Sequence, residues 1–105
     1  MPSILLVLLG AVIATSSCDR SRKDAVALIN QGVETMGRGD GATAESLFAH
    51  AAQLDPDYAE AHYHLGLVHY YYLDEKSQAL VDFQRAQDLD PEDVEILFQL
   101  GRYHT

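Results

Sequence analysis

From Asp24 onward, apolar and small residues recur every three or four positions, with polar residues between them. This spacing puts one apolar stripe along each helix, the face that a helix buries against a neighbour. Two such stripes consist of Leu47, Ala51 and Leu54 and of Leu80, Phe83 and Ala86. The pattern predicts five helices, over residues 24–36, 41–54, 58–73, 75–89 and 92–105.

The chain also repeats itself. Gly32 and Gly66 lie 34 positions apart, and Pro56 and Pro91 lie 35 apart, a period typical of solenoids built from helix pairs. Small residues let helices approach closely, and a phenylalanine fills the space between neighbouring pairs. The matched residues are Ala44 and Ala79, Phe48 and Phe83, Ala51 and Ala86, Leu54 and Leu89, Asp55 and Asp90, and Pro56 and Pro91.

These residues resemble the tetratricopeptide repeat (TPR) family. Its members have a glycine early in the first helix, Ala-x3-Phe-x2-Ala in the second and a proline that closes the unit. The resemblance implies an all-α fold, a tetratricopeptide-type α-solenoid of antiparallel helix pairs with about two and a half repeats. It divides the chain into a first repeat over 24–57, a second over 58–92, and the first helix of an incomplete third repeat over 93–105.

Aspartates and prolines mark the ends of the predicted helices. At Asp55-Pro56 and Asp90-Pro91, the proline is predicted to end one helix and begin the next, while the aspartate caps the free amides of that next helix. Asp40 is predicted to cap the second helix. We therefore interpret Arg38-Gly39-Asp40 as a turn rather than as the cell-adhesion tripeptide that it resembles.

The first nineteen residues differ from the rest. The uncharged apolar run from Ile4 to Ala14 is shorter than the ~20 residues that span a bilayer, and suits the core of a signal peptide. Thr15-Ser16-Ser17-Cys18 resembles a bacterial lipobox, whose cysteine becomes the lipid-modified first residue. We predict a signal peptide over 1–17, lipidation at Cys18, a tether over 18–23, and a membrane-anchored lipoprotein of the bacterial cell envelope that faces the periplasm or the exterior. An ordinary secretory signal or an uncleaved tail stays open.

Composition limits the function classes. Seven basic residues against sixteen acidic ones give a net charge of -9, which argues against nucleic acid as a partner. Apart from Cys18 the chain has no cysteine, and it has no serine-centred motif or metal-binding quartet. We expect no catalytic residue, no metal ligand and no cofactor.

Three histidines lie between His62 and Leu73. On a helix His62 and His64 diverge by about 200 degrees, and His62 and His69 lie about 10.5 Å apart along the axis, so neither pair readily shares a metal ion. We expect His62 and His69 to pack against the second helix of their unit. Burial of a neutral imidazole would make its protonation costly, so these histidines are candidate pH sensors.

The tyrosines of this segment lie on the adjoining helical face, which in TPR proteins lines the concave groove. We predict a partner-binding trough there, because rigid aromatic rings contribute large contact areas at low entropic cost. The family's carboxylate-gripping lysines and asparagines are missing at these positions. Alternatively, the tyrosines only cover a neighbouring helix. The predicted trough consists of Ile29, Val33, Met36, Tyr63, Leu67, Tyr70, Tyr71, Phe98 and Arg102.

The functional hypothesis is a non-catalytic protein–protein interaction module, a membrane-tethered TPR adaptor that holds a partner peptide or helix in its groove. A structural solenoid segment is one alternative; it would form a homo-oligomer through its open C-terminal end, where Ile96, Leu97 and Leu100 lack a covering helix. A protein that binds metal through its histidines is a second alternative.

Overall fold

Four helices are seen in the computed structural model, which describes the backbone of residues 2–93 and the side chains of residues 19–93. This part of the chain contains no strand. The predicted second helix is confirmed residue for residue, and the next two agree within two residues. The predicted helix over 92–105 lies outside the described residues. The helices are α1 (Pro2–Gly37), α2 (Gly41–Leu54), α3 (Ala59–Tyr71) and α4 (Lys76–Leu89).

The start of α1 differs from the prediction, which placed it at Asp24. The helix begins at Pro2 and continues through residues 18–23, which were expected to form a tether. Neither proline nor glycine interrupts residues 18–23, so nothing there stops a helix. Arg22 also holds this turn in place, because its guanidinium pairs with Asp55 and lies 4.1 Å from the ring centroid of Tyr58.

The helices form two pairs that stack on each other. α1 packs most closely on α2, and α3 on α4, while α3 also contacts α2 and α1. Connections of only a few residues join the partners of each pair, which makes them antiparallel. Along the chain, α1 and α3 are therefore the first helices of the two pairs, and α2 and α4 are the second helices, as the repeat period predicts.

A glycine on each first helix meets a phenylalanine on each second helix. A Cβ added at Gly32 would lie 2.5 Å from Cε1 of Phe48, and one added at Gly66 would lie 2.6 Å from Cδ1 of Phe83. Both phenylalanines are buried. Any larger residue would push these helices apart, which confirms the predicted role of the repeated glycine and phenylalanine.

The apolar core is unevenly divided between the two pairs. The larger cluster joins α1, α2 and α3, and the smaller one lies on α4 with partly buried residues of α3 packed against it. The larger cluster consists of Ala25, Ile29, Ala44, Phe48, Ala51, Ala61, Leu65 and Val68. The smaller consists of Ala79, Phe83 and Ala86.

One predicted cap is present and another is not. Asp40 accepts a hydrogen bond from the Thr43 amide at 3.1 Å and caps α2, as expected. Asp55 was expected to cap α3 and instead ends α2, while α3 begins after Tyr58 without a side-chain cap. The reason is an intervening turn, in which the Tyr58 amide donates to the Asp55 carbonyl at 3.1 Å and Pro56 lies before the helix. Asp90 ends α4 in the same way.

Candidate functional site

The predicted trough residues of α3 are half-covered by α4. Tyr63, Leu67 and Tyr70 are partly buried and pack against the smaller cluster, and the Tyr63 ring lies 6.0 Å from that of Phe83. Tyr71 stays 46% exposed. These side chains therefore cover a neighbouring helix and also present part of their surface to solvent. That this surface binds a partner stays a prediction.

The predicted trough residues of α1 differ from one another in exposure. Val33 is 41% exposed, and Met36 is partly buried against the larger cluster. Ile29 was predicted to line the trough, but it is 6% exposed and belongs to the larger cluster together with Ala61 and Leu65 of α3. The stacking of α3 on the first pair covers this position. Ile29 is thus a core residue, and Phe98 and Arg102 lie outside the described residues.

The remaining residues define a surface that we call the aromatic face: Val33, Met36, Tyr63, Leu67, Tyr70 and Tyr71. The rings of Tyr70 and Tyr71 meet edge to face, with centroids 4.7 Å apart. The Lys76 ammonium lies 5.6 Å from the Tyr70 centroid, on the side of α4. The face lies on the first helices of both pairs, and no trough residue on it carries a charge.

Two histidines of α3 turn to separate partners. His62 Nε2 is 2.8 Å from the Pro56 carbonyl oxygen, and His64 Nδ1 is 2.8 Å from that of Glu60. The His64 ring also lies 5.1 Å from that of Phe48. These imidazoles do not point to a common atom, in agreement with their predicted divergence. His62 and His64 serve as packing and hydrogen-bonding groups.

His69 has a different environment. It is 6% exposed and lies between two carboxylates on different helices, with Nδ1 2.5 Å from Asp82 Oδ2 on α4 and Nε2 2.6 Å from Glu45 Oε2 on α2. A second glutamate, Glu75, lies 3.8 Å from Nε2. Ionised carboxylates only accept, so this arrangement suits a ring that donates from both nitrogens, an imidazolium. One side chain thereby links three helices.

The pKa of His69 follows from two opposed causes. Burial lowers it, but the hydrogen bonds to Asp82 and Glu45 outweigh burial and raise the pKa above its ordinary 6.5. Burial alone led us to expect a neutral ring that resists protonation. That expectation is wrong in direction, because the acidic partners stabilise the charged form.

Asp82 is the buried partner of this pair. Its other oxygen accepts a hydrogen bond from Gln78 at 3.2 Å. Burial raises the pKa of Asp82, and this exceeds the lowering by His69 and Gln78. Asp82 lies at an apolar-stripe position of α4, between Ala79 and Ala86, where the first pair has Leu47. An acid within an apolar stripe was the sequence signal that could have revealed the network.

A pocket of about 570 Å³ opens at the other end of the helix pairs. The ion pair of Arg22 and Asp55 forms part of the pocket wall. Arg22 lies about 16 Å along α1 from Val33. The pocket was not predicted from the sequence, because its walls come from two separate parts of the chain, the segment of α1 around Arg22 and the turn after α2. The lining residues are Asp19, Ser21, Arg22, Leu54, Asp55, Pro56 and Asp57.

Two predictions concern the N-terminal segment. Cys18, the predicted lipidation site, lies outside the residues whose side chains are described, and the boundaries of the signal peptide stay a prediction. In the part of the chain that the structure describes, no helix combines the length and the apolar character required to span a bilayer.

Comparison with known proteins supports the fold described above. No family model matches the chain, and no curated protein matches it. A similar solved structure is the first TPR domain of Spaghetti (RPAP3) bound to the HSP90 peptide SRMEEVD, with 24% identity and a TM-score of 0.71. The match covers 76% of this chain and 63% of that one. The described helices therefore have a tetratricopeptide-type fold of stacked, antiparallel pairs.

Proposed function

We propose that the chain is a non-catalytic protein–protein interaction module that binds a peptide or helix of another protein on the aromatic face. The observation that carries this proposal is the exposure of Val33 and Tyr71, 41% and 46%, on the first helices of a stacked-pair fold. Large apolar side chains exposed on neighbouring helices favour a partner's apolar residues. The similar solved structure holds a peptide, which supports the same class of function here.

The partner that fits this face has apolar anchor residues and basic flanks. The trough residues are aliphatic and aromatic, and the net charge of -9 steers positively charged partners toward the chain. The peptide in the similar structure is acidic at Glu-Glu-Val-Asp. A chain without lysines at its trough positions does not favour such a carboxylate-rich tail.

A peptide selection tests the proposal. We expect that a random peptide library selected on the full chain yields apolar, basic sequences, and that calorimetry measures their binding. Tyr71→Ala and Val33→Ala are expected to weaken binding at least tenfold, as truncation of interface anchors commonly does. Val81→Ala is the matched control, because Val81 is also an exposed valine, at 57%, but lies on α4 rather than on a first helix. Equal loss in all three variants, or no loss in any, would contradict the proposal.

We further propose that the module is tethered to a bacterial membrane through lipid on Cys18. The lipobox-like Thr15-Ser16-Ser17-Cys18 after a short apolar run supports this. Expression of the full chain in a bacterium fed an alkyne-tagged fatty acid tests it. We expect label on the chain and none on Cys18→Ser. Equal labelling of both chains, or of neither, contradicts the tether and leaves the peptide-binding proposal to its own test.

A further inference from the structure

The network around His69 combines a buried imidazole with two carboxylates that reach the surface. Among the described side chains, ligand atoms of Glu45, His69 and Glu75 all lie within 4.8 Å of one another. We propose that these three side chains form a binding site for Zn²⁺, with water completing the coordination. Two carboxylate oxygens and one imidazole nitrogen are ordinary zinc ligands.

The backbone at the end of α3 fixes Glu75 beside His69. Asp74 adopts a left-handed conformation with φ 53°, which reverses the chain after Tyr71. The amide of Glu75 then donates to the carbonyl of His69 at 2.7 Å. The Glu75 side chain makes no cap hydrogen bond to α4, although it stands at the cap position. Its carboxylate is therefore held near His69 while its oxygens stay available to an ion.

The spacing of the ligand atoms suits a small ion after a modest adjustment. Ligands bound to zinc at about 2.0–2.1 Å in a tetrahedral site lie roughly 3.3 Å from one another. Nε2 of His69 is 3.8 Å from Glu75 and 2.6 Å from Glu45, so Glu75 approaches slightly and Glu45 withdraws slightly. The Glu45 and Glu75 side chains are 38% and 54% exposed, so they can turn about their own bonds without repacking the core.

Asp82 prepares the imidazole for a metal. Its carboxylate accepts from Nδ1 of His69 at 2.5 Å, on the side of the ring away from the glutamates. This carboxylate–histidine–metal order recurs in zinc proteins, because the carboxylate keeps the proton on one nitrogen and directs the lone pair of the other to the ion. When Zn²⁺ binds, the proton that Nε2 donates to Glu45 leaves to solvent, and a nitrogen–zinc bond replaces it.

Charge and ligand type favour the same ion. Three carboxylates surround one imidazolium, so the site carries excess negative charge that attracts a cation. The imidazole nitrogen favours Zn²⁺ over Mg²⁺ and Ca²⁺, which prefer all-oxygen sites.

Calorimetry on the full chain tests the proposal. The chain, freed of metal with EDTA and exchanged into buffer, is titrated with ZnCl₂ and separately with MgCl₂. We expect one Zn²⁺ per chain, proton release on binding, and no heat from Mg²⁺. Nitrogen-15 imidazole spectra identify the ligand, because only the His69 signals should move while those of the other four histidines, His50, His62, His64 and His104, stay in place. Movement of the other four with His69 unchanged, or an absence of Zn²⁺ heat, overturns the site.

Single carboxamide substitutions sharpen the test. Glu75→Gln should weaken Zn²⁺ binding at least tenfold, and Asp82→Asn about 10–100-fold, the usual effect of losing the carboxylate behind a histidine ligand. Glu60→Gln is the matched control, because Glu60 is also an exposed glutamate and lies about 13 Å along α3 from His69. Glu45→Gln replaces Glu75→Gln if circular dichroism shows that the latter is unfolded. Affinity unchanged by loss of Glu75 or Glu45 overturns the proposal.

Discussion

The two helix pairs share a frame but differ in what joins their helices. Three residues after its glycine, the first pair has Thr35, whose hydroxyl donates to the Gln31 carbonyl of its own helix at 2.7 Å. At the same place the second pair has His69, which bonds to Asp82 on α4 and Glu45 on α2. Near these positions α1 and α2 meet in the apolar contact of Gly32 with Phe48. The helices α3 and α4 have the matching contact and are also joined by the buried pair of His69 and Asp82.

This difference separates fold from chemistry. The glycine–phenylalanine contact is nearly identical in both pairs and sets how closely the helices approach. This contact is similarly close whether the residue beside the phenylalanine is Leu47 or Asp82. Positions next to the shared contact are therefore free to carry charge, and the second pair uses them for the His69 network.

The largest expected effect is loss of a shared phenylalanine. Phe48→Ala and Phe83→Ala should each lower the free energy of unfolding by about 3–5 kcal/mol, because both rings are buried and leave a cavity. Phe48 should cost more, since it belongs to the larger cluster. Urea unfolding followed by circular dichroism measures both, and a cost below about 1 kcal/mol for either would contradict the packing described here.

The next effect concerns the ionic link. Asp82→Leu places the first pair's residue in the second pair and removes one partner of a buried pair, which should cost about 3 kcal/mol. The double variant His69→Thr, Asp82→Leu reproduces the first pair at both positions and should regain most of that loss, because no buried charge remains. Urea unfolding of both variants measures this. A double variant that is no more stable than Asp82→Leu alone would show that the two residues do not act as a pair.

A smaller effect is the pH dependence of stability in EDTA. The folded-state pKa of His69 lies above 6.5, so its contribution is fully present below pH 6.5 and is lost as the pH rises through the folded pKa. The raised pKa of Asp82 acts in the same direction. Besides Asp82, Glu45 and Glu75 face the ring. The melting temperature should fall as the pH rises above 6.5, whereas the double variant should show little change.

The smallest effect is at the start of α2. Asp40→Ala removes the acceptor for the Thr43 amide and should lower the urea midpoint, whereas Asp40→Asn keeps an acceptor and should leave the midpoint nearly unchanged. The hydrogen bond from Thr43 lowers the pKa of Asp40, which fits this role. Urea midpoints of the two variants measure the difference, and equal midpoints would exclude the cap.

The helices and the main contacts could be predicted because their signals are local. The spacing of Ala44, Phe48 and Ala51 identifies α2, and the repeat period pairs each glycine with its phenylalanine. The end of α2 at Leu54 was also predictable from Pro56. The role of Asp55 could not be predicted in this way. Whether Pro56 begins a helix or a turn depends on hydrogen bonds within the turn, such as the one from the Tyr58 amide to the Asp55 carbonyl.

The site was harder to predict because it depends on packing between helices. Ile29 and Tyr63 each lie three residues before their glycine, yet α3 helps bury Ile29, while Tyr63 stays partly exposed. His69, Asp82 and Glu45 lie on three helices, 13 and 24 positions apart. The faces of single helices do not show which residues of different helices come into contact, so the sequence predicts a neutral, packed imidazole at His69.

The most direct test of the central claim is amide and methyl NMR of the chain with a selected apolar, basic peptide. We expect the largest shifts on the residues of the aromatic face, Val33, Met36, Tyr63, Leu67, Tyr70 and Tyr71, with Val81 of α4 unaffected. Shifts confined to α2 and α4, or centred on the pocket at Arg22 and Asp55, would contradict the aromatic face as the binding surface.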